Sequence, residues 1–174
     1  MDTMDQAKRP VTVLAGRYGH PVHPALVAVP IGAWVASLVF DVASHVVGDP
    51  GFLAQGSRWL IALGVLGALA AAMFGFLDLF AIPTGTTTFR IGLVHMSINL
   101  AVTAAYVVGF FIRAGAGGGP VGWGPLALSA VALAALGVSG YLGGELAYHY
   151  GVRVADEATQ ARGYARDATR EERV

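Results

Sequence analysis

Four apolar runs constrain this chain more than any other feature. They cover about residues 24–47, 58–82, 89–112 and 125–151, and hold almost only aliphatic, aromatic and small side chains. A helix rises 1.5 Å per residue, so about twenty such residues cross the ~30 Å hydrocarbon core of a bilayer. No water reaches that layer, so the backbone must satisfy its own hydrogen bonds, and a helix is the single-run solution. Four crossings in sequence predict an all-α, antiparallel membrane four-helix bundle with both chain ends on one side. The apolar share of 55%, the charged share of 13% and a mean hydropathy of +0.61 exclude an ordinary soluble domain.

Other classes fall away quickly. The net charge is zero and no basic stripe carries interleaved aromatics, so nucleic acid is not expected as a partner. Without cysteine there are no disulfides, thiolate metal sites or cysteine nucleophiles. Residues 1–18 are polar, and charges at Asp2, Asp5, Lys8 and Arg9 interrupt any signal-peptide core, so the first span is expected to remain in the mature protein. Residues 19–151 form the expected transmembrane domain and 152–174 a charged, partly helical, solvated tail.

Within the spans, Pro24 suits a first helical turn, whereas Pro30 cannot donate to the carbonyl of Leu26 and predicts a kink. Asp49-Pro50-Gly51 reads as the first turn, with Ser57 capping the next helix. Gly140 and Gly144 make a small-xxx-small pair suited to close helix approach. No internal repeat is strong enough to use.

Charge sets the orientation. The end carrying the termini holds Lys8, Arg9, Arg17, Arg90 and five tail arginines, against Arg58 and Arg113 at the far end, so the termini are expected in the cytoplasm.

That topology gathers ionisable residues. His20 and His23 open the first span, Asp78 closes the second, His95 stands early in the third, and Glu145 and His149 lie late in the fourth. All six belong to one layer at the cytoplasmic end, with Asp78, His95 and Glu145 about 8 Å deep. Such residues usually face the bundle interior, pairing or marking a site. Three uses fit. Imidazole and carboxylate suit a non-haem iron or zinc ion, with His23, His95, Glu145 and Asp78 as ligands and His20 or His149 completing the shell. Two imidazoles, His23 and His95, could instead be axial to haem iron. Third, the acids and histidines could neutralise one another and Arg17, Arg90 or Arg153 as an interhelical clamp. Asn99, one turn after His95, is expected to hydrogen-bond across helices beside the site. Asp41 and His45 belong to the far end, where Asp41 is expected to pair with Arg58 or Arg113. Tyr148 and Tyr150 fit an aromatic belt.

The entry Gly19-His20-Pro21-Val22-His23-Pro24, the Gly75-Phe76-Leu77-Asp78 end of the second span, His95, and Ser139 to Glu145 with Tyr150-Gly151-Val152 together resemble the DUF2231 family of predicted bacterial membrane proteins, over about residues 17–155. The resemblance implies a four-helix protein of the bacterial inner membrane. Relatives are sometimes attached to Rieske-type iron-sulfur domains, which implies electron transfer. It carries His20, His23, Asp78, His95 and Glu145 onto family positions. The family places a histidine before the closing glycine, where this chain has Tyr150, with His149 about 100° away on a helix.

The expectation is therefore a membrane protein with a transition-metal or haem b site, in contact with the bilayer and with an electron-transfer partner or a second copy of itself. The rival is an accessory or assembly subunit whose polar layer is only a clamp. No nucleophile stands beside a base, so catalysis has no candidate residue.

Overall fold

The computed structural model describes residues 2–115 and 117–165. Its elements are α1 (Thr3–Lys8), a 3-10 turn (Val13–Ala15), a two-stranded ribbon of β1 (Gly16–Arg17) and β2 (His20–Pro21), α2 (His23–Leu26), α3 (Ala28–Ala43), α4 (Gly51–Ala81), α5 (Thr87–Ala114), α6 (Trp123–Gly144), one turn of π-helix (Glu145–His149) and α7 (Glu157–Arg162). Four candidate spans emerge, of 21, 31, 28 and 27 residues, each long and apolar enough to cross a bilayer. Many large apolar side chains, among them Leu66, Met73, Phe80 and Phe111, face outward, as lipid contact requires.

Local sequence explains the boundaries. α2 and α3 form one span interrupted at Val27. The interruption follows from Pro30, which has no N–H for the carbonyl of Leu26. The first span ends at Ala43 rather than Val47, and α4 starts at Gly51, seven residues earlier than expected. Ser57 is therefore no cap. It lies buried inside α4 and donates to Asp41. Thr86 caps α5, its Oγ1 accepting from the N–H of Phe89 at 3.1 Å. Gly140 does not make the close helix approach that its spacing suggests, since a Cβ there would meet nothing within 4 Å.

Down the middle of the bundle run three pairs formed by α5 with the α2–α3 rod. The imidazoles of His23 and His95 have ring centres 6.3 Å apart. Trp34 and Tyr106 stack at 4.2 Å and 7°. Asp41 and Arg113 form a buried ion pair, 72 residues apart in the chain. His23 and His95, and Trp34 and Tyr106, have that same separation. Successive layers are eleven and then seven residues apart, three turns and two turns of helix, so each helix presents all three members on one face.

The second helices obey a matching rule. His23 Nδ1 lies 2.8 Å from the carbonyl oxygen of Ala71 on α4, and His95 Nδ1 lies 2.8 Å from that of Ser139 on α6. Trp34 donates to Ile61 O at 3.4 Å, and Tyr106 to Ser129 O at 3.3 Å. Ala71 and Ser139, like Ile61 and Ser129, stand at one common offset, 71 to 139 and 61 to 129. Two helical hairpins, α2–α3 with α4 and α5 with α6, thus meet through equivalent residues. Self-complementary contact of this kind marks an internal two-fold running along the bundle. The repeat that the sequence conceals is evident in the packing.

Where the segment before the first span meets the segment after α6, the two are not simply solvated. Lys8 is buried and donates to Glu157 at 2.9 Å. The hydroxyl of Tyr18 donates to Asp156 at 2.6 Å and accepts that residue's own N–H at 2.6 Å. Arg153 N–H donates to Ala7 O at 3.0 Å. The two segments form a cap over the bundle, and of the tail charges Arg166, Asp167, Arg170, Glu171, Glu172 and Arg173 lie outside the described residues.

Candidate functional site

The ribbon of β1 and β2 delivers the chain to His23, which opens α2 with Pro24 preset for the first turn. A helical carbonyl can only accept, so the 2.8 Å contact from Ala71 places a proton on His23 Nδ1 and leaves Nε2 with a lone pair. His95 is held in the same way by Ser139, whose hydroxyl also stands 3.0 Å from Nδ1. The Asn99 amide lies 3.3 Å from His95 Nε2, again the geometry of an accepting nitrogen, and donates to Ser139 Oγ at 2.6 Å as the expected interhelical bond. Both imidazoles are thus fastened through Nδ1, with Nε2 as the nitrogen left to accept, facing the Asn99 amide in His95.

Each ring needs a glycine beside it. A Cβ on Gly75 would come within 2.9 Å of His23 Cε1, and one on Gly143 within 3.1 Å of His95 Cε1. These glycines lie one turn beyond Ala71 and Ser139, so each imidazole packs closely against a helix at the carbonyl that holds it.

The histidines line a cavity of about 570 Å³ with mostly apolar walls, including Pro30, Trp34, Phe76 and Leu136, and with Asn99 and Arg153 as polar members. Its volume falls within the range of small-molecule sites. Asp78 also borders it, but its carboxylate accepts from Arg153 Nε at 2.6 Å. That ion pair is one contact of the kind expected in the clamp, with Arg153 as the partner.

The other candidates lie elsewhere. Glu145 and His149 line a shallow exposed hollow with Tyr141, Gly144 and Tyr148, outside the cavity wall. Their i, i+4 spacing put them together, as expected, but on the outer face. His20 is exposed on the ribbon, its Nδ1 3.4 Å from Tyr18 O. The six residues of the expected layer therefore separate into a histidine pair, a clamp and a surface group. Among the described residues no three His, Asp or Glu side chains converge as a metal ion would need.

At the far end Asp41 pairs with Arg113, not Arg58. Arg113 also donates to Ser129 Oγ at 3.0 Å, Pro125 O at 3.1 Å and Gly109 O at 3.1 Å. His45 stacks on Trp123 at 4.5 Å, and Arg58 lies over Trp59 and Phe110. The residues that sequence reasoning missed are Trp34, Tyr106, Gly75 and Gly143. For Trp34 and Tyr106 the signal was the recurrence of Val22-His23 as Val94-His95 and of Ala33-Trp34-Val35 as Ala105-Tyr106-Val107, whereas Gly75 and Gly143 lie outside both recurrences.

A family model described as a predicted membrane protein (DUF2231) matches residues 19–156, from the ribbon to the clamp. No curated protein and no solved structure gives a significant match.

Proposed function

Because the chain belongs to the DUF2231 family of predicted membrane proteins, and because its two halves bring one imidazole each to a common axis, we propose that it is a membrane haem protein with His23 and His95 as axial ligands. The observation that carries this reading is the spacing of the pair. Two Nε2 atoms each about 2 Å from one metal ion, on opposite sides, put their ring centres about 6 Å apart, and the rings stand at 6.3 Å. The fastened Nδ1 atoms fit it as well, since metal-bound histidines donate their other N–H to a carbonyl or carboxylate. The apolar cavity beside the pair suits a large flat ring. Bound there, haem iron would supply one-electron chemistry, and the protein would serve electron transfer in a bacterial inner membrane.

The chain's own residues would hold the ligand rings rigid, keep water away with apolar walls and leave both axial positions filled, which favours electron transfer over substrate binding at iron. The non-haem version has less support, because Asp78 is engaged by Arg153 and Glu145 lies on the outer face. The accessory-subunit reading draws on the clamp itself, which ties α4 to the segment after α6.

The visible spectrum and elemental content of detergent-purified protein test these readings. A Soret band that disappears in both His23→Ala and His95→Ala is the expected result. Iron or zinc without that band would favour the non-haem site. Protein that holds no metal and takes up no added haem would leave the clamp.

A further inference from the structure

We propose that Arg153 is a built anchor for a carboxylate of the cavity's ligand, an inference that rests on the haem reading and specifies the ligand's second point of attachment. Arg153 is 3% exposed and has φ 61°, a left-handed backbone rare for a residue with a side chain. Strain of this kind persists only where surrounding contacts enforce it. Here they do: Nε donates to Asp78, Nη2 donates to Ala15 O at 2.8 Å and to Gly16 O at 3.3 Å, and the backbone N–H donates to Ala7 O. Nη1 is buried and has no partner among the described residues.

A buried guanidinium N–H without an acceptor is costly, and Arg153 is one of the residues that line the same cavity as the two histidines. Asp78, which positions it, follows Gly75 by three residues, about 5 Å along α4, and Gly75 is the residue against which His23 lies. Asp78, to which the guanidinium is tied, therefore stands about one turn of α4 beyond the imidazole layer, on the side of the cap. A ligand that matches this wall has a metal for two imidazoles, an apolar body and an acidic substituent at one edge. A porphyrin with carboxylate side chains has all three. The arginine's remaining donor would complete a charge-assisted hydrogen bond to one of them.

The test uses full-length protein in detergent, freed of bound haem and titrated with ferric protoporphyrin IX or its dimethyl ester while the Soret band is followed. Wild type is expected to bind the free acid about ten- to a hundred-fold more tightly than the ester. Arg153→Lys, which keeps a cation beside Asp78, and Arg153→Gln are expected to erase that preference, so that free acid and ester bind each variant with equal affinity. Equal affinity of wild type for both compounds, or a preference that survives both variants, overturns the anchor and leaves the histidine site standing. A wild type that gives no band with either compound overturns the haem reading and the anchor with it. Oleate that reduces the free acid's affinity to that of the ester would assign the donor to a lipid carboxylate instead, and also overturns the proposal. The wild-type comparison needs no variant, so it remains decisive if the substitutions impair folding.

Discussion

Asp41 and Arg113 face each other across the axis of the bundle with side chains 0% and 4% exposed, a charge pair closed off from water and lipid alike. Removing one partner strands the other, which costs roughly 3–5 kcal/mol in buried pairs, whereas removing both together costs far less. Asp41→Asn and Arg113→Met are each expected to lower the thermal unfolding temperature in detergent sharply, with the double variant recovering much of the loss. Additive effects of the two changes would mean that the pair is not coupled.

The paired glycines make a second prediction. Gly75→Ala or Gly143→Ala sets a methyl group within 2.9 or 3.1 Å of an imidazole carbon. The ring must swing off its carbonyl, losing a hydrogen bond of about 1 kcal/mol. On the haem reading, affinity for haem should fall about five-fold while the helical content by circular dichroism stays unchanged. Gly140→Ala, where a Cβ meets no atom within 4 Å, is the control expected to bind as wild type.

The cap should respond to pH from both directions. Glu157 is held below the ordinary carboxylate value mainly by its hydrogen bond from Lys8, and Asp156 is held well below it by the Tyr18 hydroxyl and then by Thr159. Folded values below the unfolded ones contribute attachment that is present above about pH 4 and disappears as pH falls through the lowered values. Lys8 is raised, chiefly by the hydrogen bond to Glu157 and against the effect of burial. Its contribution is complete below about pH 10 and disappears as pH rises through the raised value. Amide protection in α7, taken relative to the intrinsic exchange rate at each pH, should therefore be highest in the neutral range and fall towards both extremes. Glu157→Gln should flatten the profile. A protection factor in α7 that stays constant with pH would disprove the attachment.

Tyr106→Phe removes a hydroxyl that donates to Ser129 O but keeps the ring stacked on Trp34. A loss of about 1 kcal/mol is expected, against roughly 3–5 kcal/mol for Trp34→Ala, which also opens a cavity in the bundle centre. Chemical unfolding in mixed micelles compares the two. A larger loss for the tyrosine change would reverse the weighting of stack and hydrogen bond.

Much of this architecture is legible in the residues. Runs of apolar side chains long enough to cross a bilayer can hardly do otherwise, and Pro30 announces its interruption by lacking an N–H. His23 and His95 are visible as members of one layer, Arg113 as one of two partners for Asp41, and Arg153 as one of three for the acids. Helical spacing says which residues share a face but not which way that face points, so Glu145 and His149 were placed inside while the helix turns them out. The repeat hid for another reason. Its halves preserve geometry more than identity, with Trp34 answered by Tyr106 and Asp41 by Arg113, and the second helices fall on a different offset because Ile61 lies ten residues after the start of α4 while Ser129 lies six after the start of α6.

That substitution of Asp41 by Arg113 at equivalent places has its own consequence. Two copies of the first hairpin, mated as the halves are, would press carboxylate on carboxylate, and two copies of the second would press guanidinium on guanidinium. Each half therefore rejects its twin and accepts only its counterpart, so a chain severed in the linker at residues 82–86 would reassemble solely as the mixed couple.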